Sequence, residues 1–144
     1  MRHPLHPMLA HFPVACWTLA TAADIASLRY GAPAWHLAGT LLWIGLVIAV
    51  PTFLLGLIDL IRIRNDVAPV RIGFMHMGVM FAAFVLYLVS LVLRIHAYHI
   101  GAPDVAAIVV SVIACIAMLV GGWLGGTLVY GYGAGGDARR GSDS

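Results

Sequence analysis

The sequence contains no lysine and no glutamate, and only 10% of its 144 residues are charged. A soluble domain carries about a quarter charged residues. So few charges cannot coat a water-facing surface of this size, and a soluble globular domain is excluded. Its two cysteines, Cys16 and Cys115, form neither a CxxC nor a CxxCH motif, which rules out covalently attached c-type haem. No phosphate-binding loop, catalytic-serine motif or HExxH pair is present, and no nucleic-acid partner is expected.

Apolar length is abundant instead. Hydrophobic residues make up 62% of the chain, gathered in four runs at about 8–28, 35–61, 72–98 and 105–130. Each is long enough to cross roughly 30 Å of hydrocarbon as a helix. The runs are continuous rather than alternating, which argues against barrel strands. The expected fold is all-α: an integral membrane four-helix bundle, antiparallel and up-down, over residues 1–133. The tail 134–144, "AGGDARRGSDS", is expected to be disordered and cytoplasmic. No internal repeat is evident. The first run lacks a clear cleavage site and is expected to stay as a span.

Arginine sets the expected orientation. With four spans, Arg2, Arg62, Arg64, Arg71, Arg139 and Arg140 fall on one side and only Arg29 and Arg94 on the other. The positive-inside rule then places both termini in the cytoplasm. Asp24 is expected to cap its helix or pair with Arg29.

Three of the seven histidines lie in the opening "HPLHPMLAHFP". His11 and His76 are expected at nearly equal depth in the first and third helices, roughly 6 Å inside their starts at 1.5 Å per residue. Two imidazoles on different helices at one depth suit the axial positions of a haem b iron. His6 and His3 are further candidate ligands. Small residues offer the ring its walls: Gly73 and Gly78 flank His76, Gly125 and Gly126 close "GGWLGG", and Ala15, Thr18 and Ala22 continue the His11 face. Asp59, at similar depth, is a candidate partner for a ligand's second N–H, or an ion-pair partner of Arg62 or Arg64. Glycines four apart also serve close helix packing. On the opposite side, His36 and His96 are matched in depth, but His96 turns away from the His76 face, so no second bis-histidine haem is expected there.

The opening motif, the single early histidine of the third helix and the closing "GGTLVYGYGAG" resemble the bacterial membrane family known as domain of unknown function 2231. The matching positions are His3, His6, Pro7, His11, Pro13, Asp59, His76, Gly125, Gly126, Leu128, Val129, Tyr130 and Gly133. Thr127 departs from the acidic residue common there. The resemblance implies a four-helix protein of the bacterial inner membrane. It hints at redox work, because relatives are joined to Rieske iron–sulfur domains.

Three functions are therefore in play. One is a membrane b-type cytochrome for electron transfer, its redox partner a Rieske-type protein or a quinone. Another is a zinc or copper site using the N-terminal histidines with His76. The third is a cofactor-free assembly subunit. A homodimer through "GGWLGG" is compatible with each. An electron-transfer protein is expected rather than a stand-alone enzyme.

Overall fold

The computed structural model describes residues 5–62, 67–96 and 99–132. Its four long helices are α1 (Leu5–Tyr30), α2 (Ala32–Arg62), α3 (Val67–Leu93) and α4 (Val105–Gly126), which continues into a π-helical turn at Thr127–Gly131. All four are long and apolar enough to span a membrane. Pro7 falls in the first turn of α1, where its missing N–H costs nothing.

The turns explain the boundaries. Gly31, with φ 65°, joins α1 to α2 in one residue, a left-handed conformation that favours glycine. The third span ends at Leu93, five residues short of the expected Tyr98. A two-stranded antiparallel hairpin follows, β1 (Ile95–His96) and β2 (His99–Ile100), pairing Ile95 with Ile100 and His96 with His99. At the helix end the Arg94 N–H donates to the Leu91 carbonyl, three residues back, at 3.2 Å, and the Arg94 carbonyl accepts from the Gly101 N–H at 2.7 Å; the Arg94 side chain is buried. Asp104 then caps α4 by accepting from the Ala107 N–H at 2.7 Å.

Helix α1 packs mainly on α2, and α3 on α4. The inner faces are rich in small side chains, with Ala20, Ala49, Ala83 and Ala114 buried around Trp17, Leu42, Tyr87 and Met118. Trp17 stacks on Tyr87 with ring centroids 4.9 Å apart. Long apolar side chains such as Leu19, Trp43, Leu54, Phe81 and Trp123 cover the outside. This inversion, small inside and large outside, is what a bundle needs when lipid is its solvent. The near end of the bundle holds the start of α1; the far end holds the α1–α2 turn and the β hairpin.

The far half of the interior is polar. Arg94 binds Asp24 through both terminal nitrogens, at 2.7 and 3.0 Å, with both side chains fully buried. Asp24 thus pairs with Arg94 rather than with Arg29, which is exposed beside the Tyr30 ring. The expectation failed because only packing reveals a partner seventy residues away. Arg94 also donates from Nε to the Ser90 carbonyl and from Nη2 to Ser90 Oγ. One layer inward, Thr21 hydrogen-bonds the Tyr87 hydroxyl and Ser111 Oγ, each at 3.1 Å.

Candidate functional site

Two histidines occupy the near half of the interior, and they share one local geometry. His6 Nδ1 lies 2.9 Å from the Thr52 carbonyl of α2. His76 Nδ1 lies 2.8 Å from the Gly121 carbonyl of α4. A carbonyl only accepts, so each Nδ1 carries the proton and donates. In the neutral ring each Nε2 then carries a lone pair, and no partner for it stands among the described residues.

Glycine makes both contacts possible. A helical carbonyl already accepts from the N–H four residues on, and its second lone pair is reached past that residue's side chain. Four residues beyond Thr52 stands Gly56, and four beyond Gly121 stands Gly125. A Cβ at Gly56 would lie 2.8 Å from His6 Cε1, and one at Gly125 would lie 3.0 Å from His76 Cε1. Both rings rest edge-on against bare backbone and are half-buried.

The other expected site residues are placed differently. His11 faces outward, its Nδ1 donating to the Pro7 carbonyl of its own helix at 2.6 Å. It shares that exposed face with Ala15, Thr18 and Ala22. The inner line of α1 runs instead through His6, Pro13, Trp17, Ala20 and Asp24. At 100° per residue, His11 is turned roughly 140° from His6. The helices start at Leu5 and Val67 rather than at 8 and 72, so His11 and His76 stand six and nine residues inside them (11 − 5 and 76 − 67); the expected match in depth does not hold, and His11 is turned outward as well. Asp59 is exposed on α2, and the second N–H of each inner imidazole is held by a backbone carbonyl, not by a carboxylate. Gly73 is filled by Leu60, whose Cδ1 would lie 2.5 Å from an added Cβ, and Gly126 faces open space. Of the expected glycines, Gly125 alone touches a candidate ligand. His3 and the tail lie outside the described residues.

Thr52 and Gly56 were not anticipated. Their only sequence signal is the i, i+4 step from a carbonyl to a glycine, which is meaningful once the partner helix is known. Among the described residues, no group of three or more His, Cys, Asp or Glu is arranged to hold a metal ion. An apolar cleft of about 570 Å3 opens between α2 and α3, lined by Phe53, Leu57, Phe74, Met77, Phe81 and Phe84 among others. His36, at the far end, is exposed and lies against the Trp35 ring.

The family model described as "Predicted membrane protein (DUF2231)" matches residues 2–138. The chain belongs to this family. No curated protein and no solved structure matches it.

Proposed function

We propose that this family member is a b-type haem protein of the bacterial inner membrane, with His6 of α1 and His76 of α3 as the residues that would hold its iron, and that it transfers electrons. The observation that carries this reading is the matched pair of imidazoles, each anchored through Nδ1–H to a backbone carbonyl with Nε2 free. A ligating histidine is oriented in this way, its other ring nitrogen donating to a carbonyl or carboxylate. Haem iron draws four ligands from its macrocycle and asks the protein for two. Structural zinc asks for four protein ligands. The two inner imidazoles therefore suit haem better. His6 takes the role first assigned to His11. The electron partner is a Rieske-type protein or a quinone, and the apolar cleft between α2 and α3 suits the isoprenoid chain of the latter.

Protein purified from a haem-sufficient bacterial membrane should show a sharp Soret band and low-spin reduced spectrum. His6→Ala and His76→Ala should each abolish the low-spin signature, while His11→Ala should leave it intact. A colourless protein carrying zinc or copper would sink the haem reading. Normal spectra in both inner-histidine variants would sink the ligand assignment.

Both termini are proposed to face the cytoplasm. The buried Asp24–Arg94 pair strengthens the arginine argument, since Arg94 is neutralised inside the bundle and Arg29 is left as the far side's free arginine. A phosphatase reporter fused after Ser144 should be inactive; activity, which requires export, would reverse the orientation.

A further inference from the structure

On the inner line of α1 stand His6, Trp17 and Asp24. Seventy residues later, on the inner line of α3, stand His76, Tyr87 and Arg94. Two of these counterpart pairs are in contact: Trp17 stacks on Tyr87 and Asp24 is bound by Arg94. His6 and His76 each donate to a carbonyl of the helix that follows. Contact between a residue and its own counterpart is what a twofold axis produces along its length.

The second helices repeat as well, with a shift of sixty-nine. Ala38, Ala49 and Thr52 are buried in α2, and so are Ala107, Met118 and Gly121 in α4. Gly56 and Gly125 fall in this register, and each supports the imidazole of the helix before it. The tripeptide Gly-Ala-Pro follows both first helices, at 31–33 and again at 101–103. The tight pairs, α1 with α2 and α3 with α4, exchange under the same operation, as do the looser contacts of α2 with α3 and α4 with α1. Both hairpins start at the near end, so the axis runs along the bundle, as in parallel membrane repeats.

We infer that the protein is two copies of one helical hairpin related by a pseudo-twofold axis along the bundle, and that the iron proposed above lies on this axis, held equivalently by His6 and His76. The second half of this inference rests on the haem reading. Bound there, the group would supply a redox-active iron, and His6 and His76 would hold it through Nε2. Little sequence identity survives between the hairpins because most of their residues face lipid, where any large apolar side chain serves.

Two measurements separate the halves. In a Cys16→Ala, Cys115→Ala background of the full chain in nanodiscs, spin labels are placed at Leu19 and Trp123, or at Val89 and Leu54. All four positions are exposed, and the second pair is the twofold image of the first. Dipolar spectroscopy should return the same distance for both. A difference beyond about 5 Å, one helical turn, would overturn the duplication. For the ligand, His6→Ala and His76→Ala should give superimposable five-coordinate spectra, each restored to low spin by added imidazole. Low-spin iron surviving in one variant but not the other would overturn the on-axis placement. A wild-type protein without a Soret band would remove the haem reading, and with it the ligand half, while the two distances still judge the duplication.

Discussion

Replacing Arg94 by methionine should destabilise the bundle by about 3–5 kcal/mol, the usual cost of breaking a buried ion pair from one side. The variant leaves Asp24 fully buried with both carboxylate oxygens stripped of their partners. It also removes the two hydrogen bonds that tie the guanidinium to Ser90. Asp24→Leu should be at least as damaging, because a guanidinium does not deprotonate in proteins. The Asp24→Leu, Arg94→Met double variant should recover most of the loss, since apolar replacement of a buried pair is often neutral or stabilising. Thermal unfolding in detergent, followed by tryptophan fluorescence, checks all three. Single variants as stable as wild type would mean that the pair is not desolvated. A double variant no better than the singles would mean that its packing, not its charge, holds α1 to α3.

What the sequence disclosed and what it hid divide along a physical line. Hydropathy reports translation along the membrane normal, so four spans and their order are readable. Rotation about each helix axis is not. Five residues separate His6 from His11, and that step carries His11 to the outer face. The rotation of α1 is fixed by Trp17, 1% exposed, whose indole stacks on Tyr87; the heptad-like step from His6 through Pro13 and Trp17 to Asp24 is its trace in the sequence. Asp24 was assigned to the arginine nearest in sequence because helix rules are local, and its true partner belongs to another helix. The end of α3 was missed for a related reason. "LRIHAYHI" is apolar enough to continue a helix, and hydropathy does not show that the Arg94 carbonyl accepts from Gly101 instead. The hairpin repeat was hidden because its signal lies in a few inner positions, with substitutions such as Trp for Tyr and Asp for Arg. Those differences are legible as equivalent only when the paired side chains are seen to touch.

Gly45→Ala should be the most damaging of the glycine-to-alanine changes in the bundle, by about 1–3 kcal/mol, the range for overpacking a filled core. An added Cβ would lie 2.5 Å from Trp17 Nε1 and 2.6 Å from its Cδ1. The indole has nowhere to go. It is stacked on Tyr87, edge-on to Phe84, and part of a rigid ring rather than the end of a flexible chain. Its Nε1 has no hydrogen-bond partner among the described residues, so the loss is one of packing alone. The helix-propensity gain of alanine over glycine, about 1 kcal/mol at most, does not offset it. Gly56→Ala and Gly125→Ala should cost less, because His6 and His76 are half-buried and can swing aside. Each would sacrifice one imidazole–carbonyl hydrogen bond, worth about 1 kcal/mol. Gly78, Gly122 and Gly126 face open space, and alanine there should be neutral or stabilising. Unfolding midpoints for the six single variants test this order. If Gly45→Ala melts with Gly126→Ala, then Trp17 does not pack against α2 as described, and the rotation it imposes on α1, with His6 inward and His11 outward, loses its cause.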